Sequence, residues 1–491
     1  PPSPLSPPAP SPPARPLGRA LSALARLALP PALCLLCCLE PTPVVSGDAW
    51  RVLGLMCWVV GWWVTEALPV GVTSLLPIPF LALSGVTSLD EAAAPYGSPV
   101  VFLFLGGFWL AIALERWGLH RRLALRILSL TGTSAHGVSL GFLLATAALS
   151  MWMSNTATAL MMLPIATSVL SLVREGRAGD ALSEGERRLG AGLMLAVAYG
   201  ANIGGTMTLI GTPPNLVLAS FFERELGQPI TFTSWLRLGV PFGVGALLFT
   251  HLLLTRVLFR TGLGELRGAR AALTEARAAL GPWSAGERRV ALVFGLTALA
   301  WALQGPLRAL PGLARLDDTS VALIGASLLF ALPDGAGGRL LTWADTRRLP
   351  WDIVLLFGGG LTLAAALKEV GVMQALGDQV GHVGAGSWVG VALMTGVALA
   401  LTEVMSNVAL VTVFVPVVSG VALGAGVPPL SLCAPVTLAA SCAFMLPMST
   451  PPNAIVFAAG ELRVGQMALA GLFLNVLCVA WITLLARYLL V

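Results

Sequence analysis

Two apolar stretches of this chain break off for nearly the same polar tripeptide, and the two interruptions lie 252 residues apart. The first is Ser154-Asn155-Thr156, with Ser150 one turn before it and Pro164 after it; the second is Ser406-Asn407-Val408, with Thr402 before it and Pro416 after it. A second duplicated element follows each: Gly211-Thr212-Pro213-Pro214-Asn215 and Ser449-Thr450-Pro451-Pro452-Asn453. A third pair, Gly106-Gly107 with Gly118 and Gly359-Gly360 with Gly371, recurs at an offset of 253. Duplicated, Gly/Pro-interrupted apolar segments in matching halves point to the midplane binding site of a secondary transporter. The pattern therefore predicts two repeats that together carry a small solute across a membrane.

Composition supports the membrane setting. With 56% hydrophobic and 11% charged residues over 491, most of the chain cannot present the polar surface of a soluble fold. A span needs ~20 apolar residues, and the charge-poor runs give about eleven. They lie near residues 22–45, 49–67, 70–88, 99–117, 190–219, 234–259, 287–305, 319–333, 352–371, 430–459 and 464–490. Segments 136–172 and 388–424 are left over, and each reads as a re-entrant hairpin of two half-length helices meeting at the tripeptide. Irregular backbone at that depth is tolerated only where it is buried in protein or lines a cavity. The net charge of +5 sits in loops and implies no nucleic-acid partner. All seven cysteines fall inside apolar runs, which reads as packing rather than disulfides or metal ligation.

Arginines fix the expected orientation. Arg15, Arg19 and Arg26, then Arg121, Arg122 and Arg126, then Arg174 to Arg188, then Arg256 to Arg289, and Arg339 to Arg348 alternate with acidic or neutral loops. The positive-inside rule then puts the N-terminus in the cytoplasm and, after eleven spans, the C-terminus outside. The two hairpins enter from opposite sides, so the repeats are inverted. Residues 1–16 form a Pro/Ser tail outside the fold, with no cleavable signal pattern before the first span. Residues 262–286 contain Leu266, Leu273 and Leu280 at heptad spacing among arginines, an amphipathic linker on the inner surface.

Ser-Asn at a hairpin tip sets hydroxyl and amide groups beside the free N–H groups of a helix N-terminus, which suits an anion without any Lys or Arg. The carbonyls of the same broken segments suit Na⁺. One such motif alone can equally bond a neighbouring helix; duplication in inverted repeats favours the binding role. Consecutive prolines remove two N–H donors and bar helical geometry before them, so the spans must break there and free the carbonyls of Gly211 and Ser449. No His-Glu-x-x-His or Gly-x-Gly-Asp pair is present and the four histidines are scattered, which argues against an enzyme. The broken helices lack the Asp that a cation/proton antiporter or metalloid pump would want, and a channel would not need two opposed hairpins.

The paired Ser-Asn signatures and paired Pro-Pro-Asn loops resemble those of the divalent anion/sodium symporters, carriers of dicarboxylates, citrate and sulfate. The likeness runs from about residue 30 to 491. It implies an all-α polytopic protein of the inner (plasma) membrane, a homodimer whose transport domain slides like an elevator against a fixed scaffold, importing small divalent anions with Na⁺ as coupling ion and no organic cofactor. On that division residues 17–135 and 287–387 are scaffold, while 136–261 and 388–491 are the transport parts of the two repeats. By similarity one sodium site uses Ser150, Ser154, Asn155 and the Gly211 carbonyl, and the other Thr402, the Met405 carbonyl, Asn407 and Ser449. The substrate meets Asn155, Thr156, Thr212, Pro213, Asn407, Thr450 and Pro451, with Val408 standing where the family pattern has Thr. Sodium-independent dicarboxylate exchange and sulfate transport remain alternatives on the same fold. Glu66 and Glu403 lie in or near apolar segments, where carboxylates are functional by default; Glu403 reads as a support for its hairpin or a cation ligand. His136, His251 and His382 read as interfacial, and Lys368, aligned with Glu115, as outer-facing.

Overall fold

The computed structural model describes residues 17–39, 46–174, 183–372, 375 and 386–490. His382 and the tail at 1–16 lie outside them. Among the described residues the only β-pairing is two isolated bridges, and helices make the fold.

The first repeat runs through α1 (Leu17–Leu39), α2 (Gly47–Thr65), the short α3 (Val70–Thr73), α4 (Pro77–Ser84) and α5 (Leu89–Ala93), and α6 (Pro99–Arg116). It continues with α7 (Leu119–Leu130), the hairpin α8 (Ala135–Ser150) and α9 (Asn155–Arg174), the broken pair α10 (Glu184–Met207) and α11 (Pro213–Glu225), and α12 (Phe232–Leu252). Next comes α13 (Arg267–Ala279). The second repeat follows as α14 (Ala285–Ala302), α15 (Gln304–Arg308), α16 (Asp318–Ala331), α17 (Trp351–Glu369), the hairpin α18 (Trp388–Thr402) and α19 (Asn407–Gly424), the broken pair α20 (Leu430–Ala440) and α21 (Pro451–Ala458), and α22 (Val464–Leu489).

Seven of these helical stretches are long and apolar enough to cross a bilayer, and six further apolar helices are shorter. The spans at 190–219 and 430–459 break at 208–212 and 441–450, beside the Pro-Pro pairs that require it. Residues 70–88, read from the sequence as one span, divide into α3 and α4; hydropathy averages over that break. The hairpins also differ from two half-length arms: α9 has 20 residues and α19 has 18, and both count among the seven. The sequence reading left out α7, an amphipathic helix that Gly118 introduces at φ 70. Gly371 takes φ 76 at the equivalent end of α17, so the duplicated glycines make the same left-handed stop. The linker helix is present as α13, but its Leu266 and Leu273 are buried against the protein rather than turned to lipid.

Helix α10 is the centre of the packing, buried along all of its apolar window. It lies directly on α8 because Gly200 and Gly204 face that helix. A Cβ at Gly204 would come 2.2 Å from the Ala147 carbonyl oxygen, and one at Gly200 2.8 Å from that of Leu143. Small residues one turn apart permit this approach in a membrane, where van der Waals packing holds helices together. From the opposite side Tyr199 donates its hydroxyl to the Phe444 carbonyl at 2.9 Å, tying α10 to the break in the second repeat. Gly204→Ala should therefore destabilise the protein by ~1–3 kcal/mol, seen as a lower melting temperature in detergent. Gly295→Ala, at a helical site with nothing within 4 Å of the new Cβ, should be neutral or slightly stabilising.

Candidate functional site

Four helices begin at one cavity of ≈ 800 Å³: α9 at Asn155, α11 at Pro213, α19 at Asn407 and α21 at Pro451. Each N-terminus presents backbone N–H groups without intrahelical partners and roughly half a positive charge. The prolines suit the first turns of α11 and α21, where no helical acceptor exists for the missing N–H. The breaks also deny the carbonyls of Gly211 and Ser449 the N–H groups four residues on, because Asn215 N bonds the Thr212 carbonyl and Asn453 N the Thr450 hydroxyl. The helices that precede these starts, α8, α10, α18 and α20, end nearby with carbonyl groups. Anion-seeking and cation-seeking backbone thus alternate around one space.

The two tips share one contact. Ser150 donates its hydroxyl to Asn155 Oδ1 at 2.7 Å, and the Thr402 hydroxyl lies 2.8 Å from Asn407 Oδ1, where the Ala440 carbonyl competes for its single hydrogen. Ser150 and Thr402 are fully buried behind the tips, whereas Ser154 and Ser406 are exposed in the cavity wall. In the first repeat Gly205 lies so close that a Cβ there would stand 2.4 Å from Asn155 Oδ1. A Cβ at Gly211 would in turn meet the Gly205 carbonyl oxygen at 2.5 Å. Neutral oxygens are therefore gathered tightly with no room for a side chain. Among the described residues no group of three His, Cys, Asp or Glu could hold a metal, and the oxygens gathered here belong to Asn155 and to the backbone.

Of the residues expected from the sequence, Asn155, Thr156, Thr212, Pro213, Asn407, Val408, Thr450 and Pro451 all line this cavity. So do Ser154, Gly211, Met405 and Ser449; Ser150 and Thr402 stand one layer behind. Val408 occupies the place that Thr156 holds in the other repeat, so one wall lacks a hydroxyl. The Thr450 hydroxyl accepts from Asn453 N at 3.3 Å and from Asn202 Nδ2 at 3.1 Å, leaving its own hydrogen free to donate.

Sequence reasoning stopped at the motif and missed what its asparagines do. Asn215 Nδ2 donates to the Thr208 carbonyl at 2.8 Å and reaches those of Thr206 and Gly205 at 3.3 and 3.5 Å. Asn453 Nδ2 donates to the Ala443 and Leu446 carbonyls, each at 3.0 Å. Each amide thus caps the frayed helix end that precedes it, seven and ten residues upstream in both repeats. The duplication of Asn at the last motif position was the available signal. Asn202, which joins Thr450 and Asn453 across the repeats, had no such signal, because Ala440 occupies the equivalent place in the second repeat.

The cavity extends to Glu66, Glu115, Arg348 and Asp352 at the far ends of α2 and α6 and the start of α17. Arg348 is bonded to Glu115, and the neighbouring Arg116 to Asp345. Burial works to raise the pKa of Asp345, but the Thr342 backbone and hydroxyl and Arg116 outweigh it and hold the carboxyl below its usual range. Lys368 at the end of α17 pairs with Glu225 at 3.2 Å, as Glu115 pairs with Arg348 at the end of α6. His120, absent from the sequence-based candidates, is buried and bonded through Nδ1 to the Leu114 carbonyl at 2.9 Å. All seven cysteines are free.

An all-helical protein of two repeats, with broken helices aiming four N-termini into a shared cavity, is a secondary transporter in class. The profile described as the sodium:sulfate symporter transmembrane region matches residues 21–490, and the chain belongs to that family. Among its relatives is the sodium-dependent dicarboxylate transporter SdcS of Staphylococcus saprophyticus, 37% identical over 443 residues, which are 89% of this chain and 85% of that protein. The SdcS of Staphylococcus aureus strain MW2 is 37% identical over 442 residues, with the same coverage. Two solved transporters share the fold. The YdaH transporter of Alcanivorax borkumensis aligns with a TM-score of 0.52 at 15% identity, over 96% of this chain and 97% of that one. MtrF of Neisseria gonorrhoeae, titled an antimetabolite efflux pump, aligns at 0.55 and 16%, over 85% of each.

Thr156 lines the cavity and Thr158 is buried behind it. Thr156→Val should weaken substrate binding by ~1.5–3 kcal/mol, roughly 10- to 150-fold. Thr158 lies two residues on, fully buried with its hydroxyl unpartnered, and Thr158→Val should leave affinity unchanged. Competition for uptake of labelled substrate measures both.

Proposed function

We propose that this protein imports small dicarboxylates together with Na⁺. The observation that carries the reading is the convergence of four helix N-termini on a cavity whose one lining cationic side chain, Arg348, is already paired with Glu115. An anion there is held by backbone N–H groups and hydroxyls of Asn155, Thr156, Thr212, Asn407 and Thr450, with the backbone at Pro213, Val408 and Pro451 completing the walls. Those contacts are distributed on two opposed faces, which fits two carboxylates on one short molecule. The names of the SdcS relatives support the same substrate and coupling ion.

Sodium is a co-transported substrate here. Ser150, Ser154, Asn155 and the Gly211 carbonyl hold one ion, and Thr402, the Met405 carbonyl, Asn407 and Ser449 the other. Asn155 and Asn407 each face an ion with Oδ1 and the anion with Nδ2, so one side chain reads both occupants. Movement follows an elevator path: residues 136–261 and 388–491 travel with their cargo against 17–135 and 287–387, in each protomer of a homodimer in the plasma membrane. With the N-terminus cytoplasmic, the cavity mouth at Glu66, Glu115 and Arg348 faces inward, which fits a substrate-releasing state.

Uptake of labelled succinate, citrate and sulfate into proteoliposomes, with and without a Na⁺ gradient, tests this reading. Succinate uptake should rise cooperatively with Na⁺ and become electrogenic if more than two Na⁺ accompany each dianion. C4-dicarboxylates should outcompete monocarboxylates. Equal counterflow in choline and sodium media would instead identify an exchanger, and a preference for sulfate would move the substrate within the family. Val408→Thr should restore a donor opposite Thr156 and tighten binding or widen the anion range, read from the same competition assay.

A further inference from the structure

Glu403 is a buried carboxylate at membrane depth, 6% exposed, directly behind the second tip. Oε1 accepts from Phe444 N and Met445 N, both at 3.0 Å, and from Asn475 Nδ2 at 2.8 Å, and Met445 N also reaches Oε2 at 3.2 Å. Ser449 Oγ lies 2.8 Å from Oε2 and 2.7 Å from the Glu403 carbonyl oxygen, and its one hydrogen serves one of the two. Asn475 turns its amide nitrogen to this carboxylate while its own Oδ1 stays buried without a partner. Three N–H groups converging on one oxygen suit a charged carboxylate, yet among the described residues no cationic side chain bonds to it.

The first repeat has Met151 at the equivalent place. There the break is tied by a neutral bond, from the Thr208 hydroxyl to the Met151 carbonyl. The second break has a hydroxyl-to-carbonyl contact of the same kind, between Ser449 and Glu403, and adds a carboxylate that gathers the Phe444 and Met445 N–H groups and follows Thr402 in the chain.

We propose that Glu403 is a positioning residue whose fixed charge raises the sodium affinity of the second site, so that the two sodium sites are unequal and the second fills first. This rests on the sodium sites of the proposed function. A carboxylate in low dielectric attracts a cation nearby far more strongly than it would in water, and a bound Na⁺ supplies the countercharge that Glu403 lacks. The brace and the charge are separable. In Glu403→Gln the remaining Oε1 still accepts from Phe444, Met445 and Asn475, and Nε2 can donate to Ser449 Oγ, so the charge is lost together with only the longer Met445 N contact to Oε2. Glu403→Asp keeps the charge on a shorter arm.

The test measures half-saturating Na⁺ at saturating succinate, the succinate KM at saturating Na⁺, and Na⁺-induced thermal stabilisation of purified protein, for the wild type and both variants. We expect Glu403→Gln to need about tenfold more Na⁺ in both sodium readouts with little change in succinate KM, and Glu403→Asp to keep a Na⁺ requirement near the wild type even if its maximal rate falls. A sodium response unchanged in Glu403→Gln, or shifted equally in the two variants, would overturn the proposal and leave Glu403 a brace. If Glu403→Gln fails to fold, a large Na⁺ shift in Glu403→Asp overturns it by the same logic. Wild-type uptake that ignores Na⁺ would reject the functional reading itself, a result distinguishable from either.

Discussion

A helix that stops inside a bilayer leaves carbonyl and N–H groups that water cannot reach, and the whole site depends on how those groups are divided. Four helix starts and four helix ends meet here. Side-chain amides and a carboxylate take up part of the freed backbone: Asn215 and Asn453 cap carbonyls upstream of each Pro-Pro pair, and Glu403 gathers the N–H groups of Phe444 and Met445. The four helix starts themselves open on the cavity. In the proposed function they form the binding surface, which can therefore be polar without Lys or unpaired Arg.

Duplication supplies the geometry twice, and divergence then supplies different chemistry. The paired bonds from Ser150 to Asn155 and from Thr402 to Asn407 are nearly identical in length. Around them the repeats differ: Gly205 against Ala443, Gly211 against Ser449, Met151 against Glu403, Thr156 against Val408. The first repeat crowds backbone against Asn155, where only glycine fits. The second adds a hydroxyl and a charge instead. Symmetry of the tips therefore does not extend to the chemistry around them.

The sequence was most legible where a physical rule leaves few alternatives. A chain this apolar must bury its spans in lipid, and Pro-Pro within a span must break it, so the broken helices and the facing tips follow from residues 150–164, 211–215, 402–416 and 449–453. All eight expected anion contacts reach one cavity for that reason. Hydropathy was less informative about length, because it averages over breaks; it joined α3 to α4 and made α9 and α19 look like half-length arms. Partners brought together by tertiary packing left no trace in the chain. Asn202 meets Asn453 across 251 residues and Arg348 meets Glu115 across the cavity mouth. α7 was missed because its period is amphipathic and its mean hydropathy is too low to read as a span.

Holding an anion by helix ends has a consequence for coupling. A free guanidinium in the cavity would bind a dianion whether or not sodium were present, and would still hold it after sodium had left. Helix N-termini and hydroxyls attract more weakly, so in the proposed cycle most of the positive charge that a dianion needs arrives with the ions at Asn155 and Asn407. Those same amides then turn Nδ2 to the anion, which makes binding of each occupant conditional on the other. Release reverses the logic: as sodium leaves toward the side where Arg348 is already neutralised by Glu115, nothing in the cavity remains strong enough to retain the anion. In the proposed cycle the pairing of that lining arginine with Glu115 serves the coupling as the tripeptides do.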